Sequence, residues 1–214
     1  MRELEKFRVD EIQGVIHHAD EKRVIICCHG LYSSKESEKY LEIAEMAGER
    51  NISCVRFDFS GCGESGGKFS SSLDERLKDL QKVMSYLKEK FENAKYALLG
   101  SSLGGMVSIR YASMEETSSI ITLASPYEIE IEGRRESIAE DVKRCSRILV
   151  MHGQRDELLP VEHAIKIYEG AMEPKKIMLF PTDHSFSDRE SRSVAIVEAI
   201  NWAEKYFDYG VATI

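Results

Sequence analysis

Tyr96-Ala97-Leu98-Leu99-Gly100-Ser101-Ser102-Leu103-Gly104-Gly105 is the stretch on which the rest of the chain is read. A short apolar run rich in strand-forming residues, 96–99, meets two glycine-flanked serines, and a helix-compatible segment, 106–113, follows. Residues 100–104 have the form G-x-S-x-G. Glycine at both ends lets a strand turn sharply into a helix around a strained serine, because a side chain at either flank would crowd the turn. The frame selects Ser102 as candidate nucleophile. Ser101 would need glycines at positions 99 and 103, and both are leucine.

Working outward, apolar runs recur at 24–28, 52–57, 120–124, 148–151 and 177–180, separated by longer stretches with helical spacing. Continuous apolar strands of this kind fit a parallel sheet covered on both faces. After Ser72, the residues Leu73, Leu77, Leu80, Met84, Leu87 and Phe91 fall on one helical stripe, and Ser72 with Glu75 predicts a capping box at its start. Ile196, Ile200, Ala203 and Phe207 mark a similar face near the end of the chain. Residues 7–10 and 13–18 predict an antiparallel hairpin or edge strands. The pattern is that of a three-layer α/β/α sandwich, with a mostly parallel sheet of about eight strands and a single domain over 1–214. Ligands of such sheets bind at the carboxyl ends of the strands, so the residues just after each run carry the most information.

Those ends are polar and glycine-rich. They read His29-Gly30-Leu31-Tyr32-Ser33-Ser34, Asp58-Phe59-Ser60-Gly61-Cys62-Gly63, Gly100 to Gly105, His152-Gly153-Gln154-Arg155-Asp156 and Pro181-Thr182-Asp183-His184. A serine hydroxyl is a weak nucleophile at neutral pH and needs an adjacent base, itself held by a third group. His184 follows the last apolar run, which gives the chain order serine, acid, histidine. Asp156 is the expected orienting acid. Glu157 and Asp183 compete, but Asp183 adjoins His184 and would struggle to reach the far ring nitrogen. An oxyanion formed on a carbonyl needs two preorganised amides. Leu103, after the nucleophile, and Leu31, after the first parallel strand, are the expected donors. His29 and His152 begin turns and read as loop-shaping residues; His17, His18 and His163 read as surface or packing residues.

Bulk properties narrow the partners. A net charge of −8 argues against nucleic acid, whose phosphates call for clustered Lys and Arg. The charged start, MRELEKFRVDE, lacks the apolar core of a secretory signal, and no apolar run is long enough to span a bilayer, so a cytoplasmic location and no membrane insertion are expected. Five cysteines with no CxxC speak against a disulfide framework or a zinc site, and no metal or other cofactor is expected. Cys27, Cys28 and Cys54 read as buried; for Cys62, in the glycine-rich loop, solvent access stays open beside an inert structural role.

HGLYSS, FDFSGCGESGG, GSSLGG, HGQRDELLP and DHSF, spread in order over 29–187, make the chain resemble the α/β-hydrolase superfamily, in particular its small single-domain serine esterases and its serine aminopeptidase-like or lysophospholipase-like members. The resemblance implies that residues 58–65 buttress the floor of the active site. It also implies a cap at 125–147, which here is short and polar (Glu128, Glu130, Glu132, Arg134, Arg135, Glu136), with room for about one helix near 137–143. The expected activity is hydrolysis of ester or thioester bonds of small acyl or aryl substrates through an acyl-enzyme. Amide or peptide hydrolysis and acyl transfer by the same residues stay open, as do a non-catalytic binding role on this fold and a homodimer.

Overall fold

In the central strands, consecutive side chains go to opposite faces of a sheet that is buried on both sides. The computed structural model describes residues 3–208. In β3 (Arg23–Cys28), Val24, Ile26 and Cys28 join one apolar cluster while Ile25 and Cys27 join the other. β5 (Lys95–Ser101), β6 (Ser119–Leu123) and β9 (Ile148–Gly153) divide their side chains the same way. This two-sided burial is why the runs read as continuous rather than alternating.

The remaining strands of the sheet are β1 (Leu4–Val9), β2 (Ile12–His17), β4 (Ser53–Phe57) and β10 (Lys175–Phe180). Among the described residues the order is β1-β2-β4-β3-β5-β6-β9-β10, with β1 and β2 antiparallel and the pairs from β4 to β10 parallel. The three-layer, mostly parallel fold expected from the sequence is the fold observed. Helices α1 (Glu38–Glu49) and α5 (Arg189–Phe207) cover one face; α2 (Leu73–Lys90), α3 (Leu103–Ala112) and α4 (Glu162–Gly170) cover the other. β3 leads into α1 and the adjacent β5 into α3, on opposite faces. Their carboxyl ends therefore flank a crevice at the topological switch point of the sheet.

The α2 stripe is buried as its spacing predicts, and each fully buried leucine contributes roughly 1.5–3 kcal/mol. Its cap differs from expectation. Ser72 stands at the N-cap but its side chain makes no capping bond. The Leu73 amide instead donates to Glu136 Oε1 at 3.2 Å, and Glu75 pairs with Lys78 at 2.7 Å.

Glu136 comes from the cap-position segment, where the structure again differs. The expected helix near 137–143 is replaced by an antiparallel hairpin, β7 (Glu128–Ile131) and β8 (Arg134–Ser137), and a single 3-10 turn, Val142–Arg144. The reason is local. Glu128-Ile129-Glu130-Ile131 alternates with period two, and Glu132 and Gly133, both at positive φ, make the tight turn such an alternation needs. Ile129 and Ile131 pack on the core beside α2 and α3. Among the described residues no helix is long and apolar enough to cross a membrane.

Candidate active site

Ser102 sits between β5 and α3 with φ 52° and ψ −126°, a conformation that costs energy for a residue with a Cβ. Packing imposes it. A Cβ built on Gly100 would lie 2.3 Å from the Gly104 carbonyl oxygen, and one on Gly104 would lie 2.1 Å from the Cys28 carbonyl oxygen. The strand and helix thus approach each other through two bare α-carbons, and the serine between them is turned outward. Its amide donates to Leu123 O at 2.9 Å and its carbonyl accepts from Gly105 N at 2.8 Å, which pins the turn on both sides.

His184 lies in the loop between β10 and α5, and Asp156 in the loop after β9. His184 Nδ1 donates to Asp156 Oδ2 at 2.7 Å. The carboxylate is fully buried, while the ring keeps some exposure. Asp156 is itself held, since Oδ1 accepts from the amides of Leu158 and Leu159, both at 2.9 Å. The competing acids have other roles. Glu157 is exposed. Asp183 accepts from Ser185 N, Ser187 N and Ser187 Oγ; those hydrogen bonds, led by the Ser187 hydroxyl, hold its carboxyl below the usual range. Ser102 and His184 line one cavity of about 390 Å³, together with Gly30, Leu31, Tyr32 and Lys39.

The loop after β3 closes the other side. Gly30 lies against Ser102, so that a Cβ there would stand 3.1 Å from Ser102 Cβ. The Gly30 carbonyl is held by His29 Nδ1 at 2.8 Å and faces an Arg76 guanidinium nitrogen at 3.5 Å. Phe59 N donates to His29 Nε2 at 3.0 Å, which makes Nδ1 the protonated nitrogen. Burial above all pushes this imidazole down to about 4. In a trans peptide, C=O and N–H point in opposite directions. Fixing the Gly30 carbonyl toward His29 and Arg76 therefore turns the Leu31 amide away from them. Leu103 is the first residue of α3, directly after Ser102.

His29 and His152 shape loops as expected; His152 Nε2 donates to Leu159 O at 2.9 Å beneath Asp156. His163, read as a bland helix residue, accepts from Tyr127 N at 3.1 Å and ties α4 to the start of the cap-position segment. The glycine-rich loop braces the site through Asp58. Its carboxylate accepts from Lys35 N at 2.7 Å, Lys35 Nζ at 2.8 Å and Glu64 N at 2.9 Å. Cys62 is buried rather than accessible. The loop folds back so that its sulfur lies 3.7 Å from Arg76, and burial raises its thiol pKa despite that cation.

Sequence reasoning missed Arg76, Lys39 and Arg192. Arg76 is 1% exposed and its guanidinium lies 4.7 Å above the Phe59 ring. An arginine on the apolar side of the α2 stripe was the only available signal. Lys39 and Arg192 come from α1 and α5, which spacing alone does not bring to Ser102. Among the described residues, no cluster of three or more His, Cys, Asp or Glu side chains could hold a metal ion.

A serine on a strained strand-to-helix turn, at the switch point of a sheet of this order, defines an α/β-hydrolase. The chain belongs to the family described as serine aminopeptidase, S33, which it matches over residues 19–139, a span that includes Ser102 and ends before Asp156 and His184. It is 29% identical over 164 residues to the uncharacterized protein YfhR of Escherichia coli, covering 66% of this chain and 57% of that protein. It thus spans little more than half the length of such relatives. Among solved structures, it resembles the Pyrococcus furiosus esterase Pf2001, at 17% identity and a TM-score of 0.85, over 97% of this chain and 92% of the other. It also resembles the ferulic acid-bound Est1E of Butyrivibrio proteoclasticus, at 19% identity and a TM-score of 0.80, over 94% of this chain and 98% of the other.

Proposed function

We propose that this hydrolase cleaves carboxylic ester or thioester bonds of small acyl or aryl substrates through an acyl-enzyme, with Ser102 as nucleophile, His184 as base and Asp156 as orienting acid. The observation that carries the reading is the 2.7 Å bond from His184 Nδ1 to a buried Asp156, on a ring that shares a cavity with Ser102. With Nδ1 protonated and held, Nε2 is the nitrogen free to accept a proton.

Ser102 Oγ attacks the acyl carbon as its proton passes to His184 Nε2. The resulting oxyanion takes hydrogen bonds from the amides of Leu31 and Leu103. Collapse breaks the bond to the alcohol or thiol, which leaves with the proton from His184. Water, deprotonated by the same ring, then releases the acid and restores the serine. Tyr32, 80% exposed and stacked on Phe69 at 5.3 Å, offers an aromatic shelf at the cavity edge for an acyl or aryl group. The esterase neighbours support the ester over other bonds.

The test is covalent labelling by a fluorophosphonate. The wild type is expected to be labelled and Ser102→Ala is not; equal labelling of both would refute the choice of nucleophile. The family description supports a second reading, amide or peptide cleavage by the same residues. Matched ester, thioester and amide substrates separate the two, with the ester or thioester expected to turn over faster.

A further inference from the structure

The cavity that holds Ser102 also contains two cations, and their surroundings differ. Arg192, from α5, is neutralised in place by Glu38 at 3.0 Å and Glu42 at 2.8 Å. Lys39, from the first turn of α1, has no carboxylate within 4.0 Å among the described residues. Its ammonium donates to the hydroxyl of Ser101, the residue before the nucleophile, at 3.0 Å, and it lies 5.9 Å from the Tyr40 ring. It is half-buried, so it has lost water without gaining a counter-ion. Burial chiefly, and the charge of Arg192 next, push it down to about 8, while Asp183 opposes them weakly. Glu38 also lines the cavity, but its carboxylate is directed to Arg192. Glu38 and Glu42 balance the two cations in number, but both face Arg192, which leaves Lys39, next to the candidate nucleophile, as the cation of the lining with no carboxylate against its ammonium.

A desolvated cation of this kind gains most from an arriving anion, because the anion replaces the missing counter-ion in a poorly solvated setting. We propose that Lys39 is a specificity residue that selects esters carrying a second, free carboxylate, such as the half-esters of short dicarboxylic acids. One unpaired ammonium matches a single negative charge. This inference rests on the reading of Ser102 as the nucleophile and deepens it by naming the substrate class.

The experiment compares kcat/KM for 4-nitrophenyl hemiglutarate and 4-nitrophenyl butyrate, which differ chiefly in the distal carboxylate. The anionic-to-neutral ratio is expected to fall about tenfold in Lys39→Gln, mainly through KM for the anionic ester, and to recover largely in Lys39→Arg. Gln keeps a donor for Ser101, so a lost hydrogen bond alone does not imitate the effect. A ratio unchanged by Lys39→Gln overturns the proposal.

The wild type gives an independent reading. Its preference for the anionic ester is expected to fade as pH rises through about 8, where the free-enzyme ammonium deprotonates. His184, as the base for both esters, affects them alike and cancels in the ratio. Arg192, held up by Glu42, stays charged over that range, Asp183, held down by the Ser187 hydroxyl, stays ionised, and burial keeps the Tyr40 hydroxyl protonated; Glu38 and Glu42 face Arg192 rather than Lys39. A ratio flat from pH 6.5 to 9 overturns the proposal.

A binding arm separates the two readings. Calorimetric titration of Ser102→Ala with monomethyl glutarate is expected to show binding about tenfold tighter than in Ser102→Ala/Lys39→Gln. Equal affinities count against Lys39 whatever the turnover. If the wild type hydrolyses neither ester, the hydrolytic reading fails while this titration still decides the role of Lys39.

Discussion

His184 Nδ1 stands 2.7 Å from Asp156 Oδ2, across two loops that end neighbouring parallel strands, β9 and β10. They are 28 positions apart, a stretch that contains α4 and β10, so the contact comes from strand pairing and not from proximity along the chain. The other Asp156 oxygen is occupied by the Leu158 and Leu159 amides, which orients the carboxylate edge toward the ring.

Asp156→Asn keeps the acceptor for those amides but offers an NH₂ to His184 Nδ1, which favours the tautomer with its proton on Nε2. Ester hydrolysis is expected to drop by about 10³–10⁴ in kcat with the fold retained. Steady-state kinetics beside near-ultraviolet circular dichroism check this. A loss below tenfold would show that another group orients the ring.

The elbow glycines make a prediction about stability. In Gly104→Ala the new Cβ meets the Cys28 carbonyl oxygen at 2.1 Å and the His29 carbonyl oxygen at 2.6 Å, both backbone atoms that cannot swing aside. A destabilisation of about 3 kcal/mol is expected. Gly133→Ala, at the tip of the β7–β8 hairpin, meets nothing within 4 Å and bears only the cost of its positive φ, about 1 kcal/mol. Urea unfolding of the two variants should rank them in that order.

Lys35 and Asp58 form an ion pair whose side chains are 1% and 0% exposed. Replacing one partner leaves the other charged and desolvated. Lys35→Met is expected to cost about 3 kcal/mol, and Lys35→Met/Asp58→Asn to recover part of that loss. Chemical denaturation measures both. A double variant less stable than the single one by the full cost of a second, independent lesion would mean that the pair is not coupled.

Histidines set the acid side of the stability curve. Burial pushes His17 and His29 down to about 4, and each has Nε2 engaged as an acceptor, from Arg56 and from the Phe59 amide. An imidazole in the unfolded chain binds its proton near pH 6.5. Between about 6.5 and 4 the unfolded state therefore holds more protons, and stability falls as pH falls, by up to about 1.4 kcal/mol per pH unit for each histidine. Above 6.5 the contribution of these groups is flat. Unfolding free energies from urea titrations at pH 7.5 and 5.0 should differ by an amount on the order of 3 kcal/mol, and His17→Gln should reduce the difference. Equal free energies would show that the two rings are not held neutral by the fold.

Where a feature depended on neighbours along the chain, it could be read from the residues. The six apolar runs are strands, the Leu73 to Leu87 stripe is buried, and the glycines on either side of Ser102 meet backbone atoms as a tight elbow requires. The β7–β8 hairpin is equally local, carried by the period of two in Glu128-Ile129-Glu130-Ile131 and the positive φ of Glu132 and Gly133. The capping box failed because its partners are taken: the Ser72 amide donates to Ser70 Oγ at 3.1 Å and the Glu75 carboxylate pairs with Lys78, while Glu136, from another element, serves the Leu73 amide. Cys62 likewise is buried by tertiary contacts, among the apolar core and against Arg76, a residue fourteen positions on.

The alternation of strand and helix, the strained turn at Ser102 and the polar composition of the strand ends are all legible along the chain, since these follow from side-chain period and from where glycine alone fits. Only the folded chain shows that the His184 ring meets the Asp156 carboxylate at 2.7 Å, that Arg76 and His29 hold the Gly30 carbonyl, and that Lys39 enters the cavity of Ser102 with no carboxylate against its ammonium. These are distances between loops, set by the order and register of eight strands in one sheet. Spacing along a chain does not encode such distances, because a parallel sheet joins residues whose separation in sequence is arbitrary.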